Sequence, residues 1–130
     1  MNLRSPLSHV LGSGSAKEGT DHWWGQRLSA VALLVLGLWL LYSLITLNAG
    51  AFDAAQVAQW AGTTSNAIML ILLLVTLGYH SSLGVQVVIE DYVHGPLIKV
   101  VALILSKFSH IAVTFGAVFA VLKLAFGAVS

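Results

Sequence analysis

The sequence predicts an all-α membrane protein with three transmembrane helices. Hydrophobic residues make up 58% of its 130 residues and charged residues only 8%, whereas a soluble domain carries about 25% charged residues. Three apolar runs are each long enough to cross a hydrocarbon layer about 30 Å thick. Because so few charges cannot solvate a globular surface, an integral membrane protein is the predicted class, and the length allows one compact domain.

Charge and cysteine content exclude several functions. The net charge is +1, so no basic patch is available for phosphate groups and no nucleic-acid partner is expected. The chain has no cysteine, which excludes disulfides, thiolate-bound zinc and iron–sulfur ligation by this chain. Five histidines remain as candidate metal or haem ligands.

The first 21 residues are polar and include a Gly/Ser cluster at residues 12–15. They lack the apolar core and small-residue cleavage pattern of a signal peptide. We therefore expect a flexible or peripheral N-terminal arm at residues 1–21, followed by a transmembrane domain at residues 22–130. The absence of a targeting segment favours a bacterial inner membrane over a mitochondrial inner membrane.

The first two spans are separated by a polar linker. No charged residue lies between Arg27 and Asp53, and about 20 residues of helix cover the hydrocarbon layer, which predicts a first span at about 28–47. The linker is expected to form a short interfacial segment anchored by Trp60. The second span is predicted at about 64–89, with Thr or Ser at positions 63–65 as its N-cap.

The third span is predicted at about 97–126, because Gly95-Pro96 is a strong break and proline suits a first helical turn. Lys99 and Lys107 fall on about the same face, where they can snorkel or meet another protein. Basic residues precede the first span and follow the second, but residues 48–62 contain none, which predicts a cytoplasmic N-terminus. Three helices make a thin bundle, so a partner in the membrane is expected.

His80 is the first candidate functional residue. It lies ten residues before Glu90, or about 15 Å into the bilayer at helical rise, where an ionisable side chain is costly. One interpretation is a neutral histidine hydrogen-bonded to a neighbouring helix. The other is an axial ligand to a haem iron, with Gly84 one turn away allowing a flat macrocycle to approach the backbone. A second axial ligand would come from His110, the other deep histidine, or from another chain.

Asp91 and Tyr92 form a second candidate site. Asp91 follows His80 by eleven residues, close to three helical turns, so the two share one stripe with Gly84. The pair is either a solvated helix end or part of a quinone-reduction site. In the second case the tyrosine supplies a hydroxyl donor to a carbonyl, and the carboxylate supplies a route for protons. His94, in the following turn, is a loop residue or a neighbour in that relay.

The start of the first span carries polar and aromatic residues in the run HWWGQRLSA. Tryptophans and a boundary arginine are ordinary interfacial anchors. Alternatively, Arg27 and His22 face the bundle and bind an anionic group such as a haem propionate, since the guanidinium fork suits a carboxylate. Gln26 and Ser29 would extend such a polar patch.

Two of these motifs resemble a known family. The run HSSLGVQVVIEDYVHG resembles the second-helix signature of the small hydrophobic membrane anchor of succinate dehydrogenase (respiratory complex II), in which a histidine stands eleven residues before an Asp-Tyr pair. The run HWWGQRLSA resembles that family's first-helix pattern of His-Trp, Arg and Ser/Thr. The resemblance covers about residues 19 to 126.

The resemblance implies that the chain is half of a heterodimeric anchor bundle. Its partner would be the larger anchor, of the cytochrome b556 type, and the complex would include an iron–sulfur subunit and a flavoprotein subunit. His80 would supply one axial ligand of haem b, and the cytochrome b556-type anchor would supply the other. Arg27 and His22 would lie near the haem propionates.

The resemblance also implies a ubiquinone site at the cytoplasmic face, between this chain, the cytochrome b556-type anchor and the iron–sulfur subunit. Tyr92 would hydrogen-bond a ubiquinone carbonyl, with Asp91 as its acidic neighbour. Succinate oxidation would take place elsewhere in the complex, so this chain would not be catalytic alone. Two alternatives stay open: the anchor of a fumarate reductase, and a non-redox structural membrane subunit.

Overall fold

A computed structural model describes residues 17–47 and 53–127, and all regular structure within them is helical. The helices are α1 Lys17–Leu47, α2 Ala54–Gly62, α3 Thr64–Tyr92 and α4 Pro96–Gly127. Three stretches are long and apolar enough to cross a membrane, namely Thr20–Leu47, Thr64–Tyr92 and Pro96–Gly127. The predicted fold class is therefore confirmed, and each of these stretches overlaps one of the predicted spans.

Helix α1 begins at Lys17, well ahead of the predicted apolar core. No proline interrupts the run between Lys17 and Leu28, so the polar first turns continue directly into the apolar span. Trp23 and Trp24 pack edge to face within this part, with ring centroids 5.0 Å apart. Most of the predicted N-terminal arm, residues 1–16, lies outside the described residues, and residues 17–21 belong to α1.

Helix α2 forms where the sequence predicts a short interfacial segment. Asp53 caps its N-terminus and accepts a hydrogen bond from the backbone amide of Ala55 at 3.3 Å. The Trp60 ring stacks on Trp39 of α1, with centroids 6.1 Å apart. Asn66 of α3 donates a side-chain hydrogen bond to the Trp60 carbonyl oxygen at 2.9 Å. Helix α2 packs mainly against α4 and the start of α3, and the Trp60 ring adds a contact with α1.

Helices α3 and α4 begin where the sequence signals predict. Thr63 takes the N-cap position of α3, but its hydroxyl donates to the Gln59 carbonyl oxygen at 3.1 Å instead of capping α3. Helix α4 begins at Pro96 after a turn at residues 93–95. Lys99 donates from Nζ to the Glu90 carbonyl oxygen at 2.8 Å, which ties the start of α4 to the end of α3.

Helix α3 is central, because it packs along both α1 and α4. Glycines mark both interfaces, as expected where small residues let membrane helices approach closely. A Cβ added at Gly25 of α1 would lie 2.5 Å from the Tyr79 hydroxyl oxygen of α3. A Cβ added at Gly78 of α3 would overlap the Thr114 hydroxyl of α4. The two interfaces thus lie at adjacent residues of α3.

The helices bury little of their apolar surface against one another. Among the described residues, the buried apolar side chains are Ala61, Ala67 and Val121. Large apolar side chains such as Leu28, Phe108 and Phe119 are each more than two-thirds exposed. This composition of the surface fits a thin bundle whose outer faces contact lipid or another membrane protein.

Candidate functional site

His80 lies on the side of α3 that faces α1. Its Nδ1 atom is 2.9 Å from the Ser29 hydroxyl oxygen. Its Nε2 atom is 3.5 Å from the side-chain nitrogen of Gln26, a separation at which a hydrogen bond is weak. The deep histidine is therefore held at Nδ1 by α1, whereas its Nε2 has only a distant contact.

The α1 side of this site is a stripe of three polar residues, His22, Gln26 and Ser29. Their spacing of four and three residues places them on one helix face. Ser29 is only 6% exposed, and its hydroxyl donates to the Gly25 carbonyl oxygen at 2.7 Å. His22 Nε2 and Gln26 Oε1 are buried without a hydrogen-bond partner. Two orphaned polar atoms thus accompany the histidine.

Gly84 lies one helical turn after His80 on α3. A Cβ added there would contact only one other side chain, with Gln26 Nε2 3.7 Å away. The space over Gly84 is therefore bordered by the same polar stripe that contacts His80.

Arg27 lies outside this cluster. Its side chain is exposed, and the guanidinium carbon sits 4.1 Å from the Trp23 ring centroid, a cation–π arrangement one turn along α1. Of the two predicted propionate-binding residues, only His22 shares the stripe that faces His80.

Asp91 and Tyr92 end α3. Both side chains are exposed, Tyr92 by 77%, and neither makes a hydrogen bond within the described part of the chain. His94 Nδ1 donates to the Tyr92 carbonyl oxygen at 3.1 Å, so the predicted relay neighbour contacts the tyrosine backbone. Because α3 is uninterrupted, eleven residues place Asp91 about 16 Å along the axis from His80.

His110, the other deep histidine, belongs to the α3–α4 interface. Its Nδ1 donates to the Ser106 carbonyl oxygen at 2.7 Å. Because a carbonyl oxygen only accepts, Nε2 is the unprotonated nitrogen in the neutral ring, and the Ser81 hydroxyl donates to it at 3.1 Å. Both nitrogens of His110 are therefore satisfied inside this chain, and His110 meets Ser81 instead of His80.

No group of three or more His, Asp or Glu residues is arranged to hold a bare metal ion in the described ranges 17–47 and 53–127. A porphyrin iron needs no such group, because the macrocycle supplies its equatorial ligands and a protein supplies the axial ones.

Two features of the site were missed in the sequence. In one of two interpretations, Gln26 and Ser29 were expected to extend a polar patch with Arg27 and His22, and in the structure both lie next to His80. The sequence did contain a signal for this placement. Gln26 and Ser29 follow His22 at helical spacing, which puts all three on one face of α1 and Arg27 on another. The pairing of Ser81 with His110 had no sequence signal, since it depends on how α3 and α4 pack.

A sequence model of the succinate dehydrogenase/fumarate reductase transmembrane subunit matches residues 1–125. The chain belongs to this family. With its three apolar helices, this family member is a multi-pass membrane protein. No solved structure matches the chain significantly.

Several curated relatives carry the same description. The succinate dehydrogenase hydrophobic membrane anchor subunit of Rickettsia bellii is 38% identical over 92 residues, which cover 71% of this chain and 72% of the relative. That of Paracoccus denitrificans is 32% identical over 129 residues, 99% of this chain and 98% of the relative. The succinate dehydrogenase membrane anchor subunit of Reclinomonas americana is 32% identical over 93 residues, 70% of this chain and 77% of the relative.

Proposed function

We propose that this chain is a membrane anchor subunit of a succinate dehydrogenase that binds haem b jointly with a second anchor protein and forms part of a ubiquinone-reduction site. The relatives from Rickettsia bellii and Paracoccus denitrificans are succinate dehydrogenase anchors, which favours this direction of electron flow over that of a fumarate reductase.

The haem assignment rests on the hydrogen-bond contacts of the two His80 ring nitrogens. Its Nδ1 is hydrogen-bonded at 2.9 Å, but its Nε2 has only a distant contact at 3.5 Å. An imidazole that is hydrogen-bonded at one nitrogen and has only a distant contact at the other suits an axial ligand, which would bind through the second nitrogen in its unprotonated form. When bound, the haem iron accepts and releases an electron.

The surrounding residues fit such a group. A Cβ added at Gly84, one turn from His80, would be in van der Waals contact with Gln26 alone. The orphaned His22 Nε2 is a buried ring nitrogen without a partner, and with its hydrogen on that nitrogen it could donate to a carboxylate of a bound group. Since His110 is satisfied by Ser81 and Ser106, the second axial ligand is expected from the partner, the cytochrome b556-type anchor.

The quinone site is proposed at Asp91 and Tyr92. Both side chains are exposed at the end of a membrane-crossing helix and have no hydrogen-bond partner within the described residues. An exposed phenol at a membrane boundary can donate to a quinone carbonyl, and the neighbouring carboxylate can deliver protons. Electrons would arrive from the flavoprotein subunit through the iron–sulfur subunit. The charge pattern favours an orientation in the membrane with this end and the N-terminus in the cytoplasm.

A non-redox structural subunit is the second candidate function. The observation that favours it is that both His80 nitrogens lie near polar atoms of α1, as in a purely structural helix contact. A reduced-minus-oxidised spectrum of the purified complex separates the two. We expect a b-type haem band, and its absence from a complex that retains this chain would overturn the haem assignment.

The Tyr92→Phe variant tests the quinone site. We expect ubiquinone reduction by the complex to fall at least tenfold, since positioned proton donors contribute about 10²–10⁴-fold. Succinate oxidation by a soluble dye should stay unchanged, because that reaction bypasses the anchor. Tyr42→Phe is the matched control, since it removes an exposed tyrosine hydroxyl on α1. Unchanged ubiquinone reduction in Tyr92→Phe would rule out the role of the tyrosine.

A further inference from the structure

We propose that Ser29 is the positioning residue of His80. It fixes the imidazole tautomer with hydrogen on Nδ1 and leaves the Nε2 lone pair as the ligating atom, an inference that rests on the proposed haem function. Its basis is a relay from His80 Nδ1 to the Ser29 hydroxyl and on to the Gly25 carbonyl oxygen.

The relay has a direction because a carbonyl oxygen only accepts. The Ser29 hydroxyl has one hydrogen, and its shortest contact is the Gly25 carbonyl oxygen at 2.7 Å, with the Gln26 carbonyl oxygen at 3.1 Å. When that hydrogen is committed to the backbone, the hydroxyl oxygen can only accept from His80 Nδ1 at 2.9 Å. His80 then carries its proton on Nδ1.

Local structure explains why a serine can do this. A serine in a helix bonds back to the carbonyl one turn earlier, which is Gly25. The same Gly25 is where α1 approaches α3 closely at Tyr79. The close approach lets a short side chain span the two helices, and burial of Ser29 to 6% exposure keeps water from competing for the hydroxyl.

The consequence for a ligand follows from general metal chemistry. A ligating histidine usually donates its other ring hydrogen to a fixed acceptor, which orients the ring, and loss of that acceptor weakens metal binding by about 10–100-fold. Gln26 does not take this role, because its nitrogen lies on the Nε2 side at 3.5 Å. Gln26 is the residue that a ligand at Nε2 would displace.

The test compares Ser29→Ala with Ser29→Thr and Ser43→Ala in the intact complex. Ser43 is the matched control, since it is another buried serine of α1, 8% exposed. We expect Ser29→Ala to weaken haem retention about 10–100-fold and to raise the haem midpoint potential, because the imidazole loses an acceptor that increases its basicity. Ser29→Thr, which keeps the hydroxyl, should restore both, and Ser43→Ala should change neither. Wild-type retention and potential in Ser29→Ala would overturn the proposal.

A second measurement separates this proposal from the haem assignment. Nitrogen-15 magnetic resonance of the full chain in lipid bilayers, with labelled histidine, reads the His80 tautomer without haem. Hydrogen on Nδ1 in the wild type, lost from that site in Ser29→Ala, supports the proposal even if the purified complex lacks a haem band. Hydrogen on Nε2 in the wild type overturns it, because Ser29 would then donate to the ring.

Discussion

The two deep histidines lie at two different interfaces of α3 and have different surroundings. His110 has a strong acceptor at Nδ1 and a serine donor at Nε2, both from its own chain. His80 has a hydroxyl at Nδ1, but at Nε2 it has only a distant amide nitrogen, and two buried orphaned atoms lie on the facing helix.

The difference between them shows that depth in the membrane does not by itself indicate function. A polar group in lipid must find a partner, and His110 has found two within the bundle. At His80 this chain supplies a close partner for Nδ1 but only a distant one for Nε2. An external ligand could therefore bind at Nε2. The contacts therefore favour a structural role for His110 and agree with the ligand role proposed for His80.

The largest expected effect is a difference in haem content between the His80→Ala and His110→Ala variants. His80→Ala should abolish the b-type haem band of the complex, because it removes the proposed ligand and both nitrogens of His110 are already hydrogen-bonded to Ser81 and Ser106. His110→Ala should keep the band and lose only about 1 kcal/mol of stability, the scale of one or two interhelical hydrogen bonds in a membrane. The measurement is the reduced-minus-oxidised spectrum per mole of complex.

A surviving band in His80→Ala would show that iron is held elsewhere. Loss of the band in His110→Ala, with the complex intact, would break the comparison, because it would mean that the Ser81 and Ser106 contacts rearrange to free His110 for the iron.

The helices and the unusual position of His80 could be predicted from the sequence, but the contacts of His110 could not. The three spans, the interfacial segment at Trp60 and the unusual depth of His80 all follow from hydropathy and helical rise, which depend on neighbours along the chain. The hydrogen bonding of His110 could not be predicted, because Ser81 approaches it only through the packing of α3 on α4. The same holds for Ser29, whose helical position was evident but whose partner on α3 was not. The role of Asp91 and Tyr92 in a quinone site stays a prediction, since a partner chain would complete the surroundings of both side chains.

The next largest effect is expected from filling the space beside His80. Gly84→Leu should reduce haem content severalfold without preventing assembly, because its side chain would extend toward Gln26, the one side chain within 4 Å of an added Cβ, into the space that a flat group beside His80 would need. Gly116→Leu is the matched control, since nothing lies within 4 Å of a Cβ added there. Haem per complex is the measured quantity. Equal haem content in both variants would indicate that no flat group approaches Gly84.

Substitutions at the α3–α4 interface, where His110 lies, are expected to change the stability of the bundle and not its haem content. Gly78→Ala should destabilise the bundle, because overpacking against Thr114 costs about 1–3 kcal/mol and exceeds the helix-propensity gain of up to about 1 kcal/mol. Gly37→Ala, where an added Cβ meets nothing within 4 Å, should gain that propensity term instead. Thermal unfolding of the purified full chain in detergent measures both.

The compensating variant makes the Gly78 prediction specific. Thr114→Ala removes the group that the new methyl would overlap, so the double variant should recover most of the stability lost in Gly78→Ala, a coupling expected for residues in direct contact. Additive losses in the double variant would place the α3–α4 contact elsewhere.

The smallest expected effect tests the hydrogen bond that makes His110 structural. Ser81→Ala removes the donor to His110 Nε2 and should cost about 0.6 kcal/mol, the average for an interhelical hydrogen bond in a membrane protein, with haem content unchanged. Ser82→Ala, at the neighbouring position without a hydrogen bond in the described structure, is the control. If Ser81→Ala instead altered the haem spectrum as His80→Ala does, the two interfaces of α3 would be coupled, since the freed His110 ring would have turned toward the site that His80 faces.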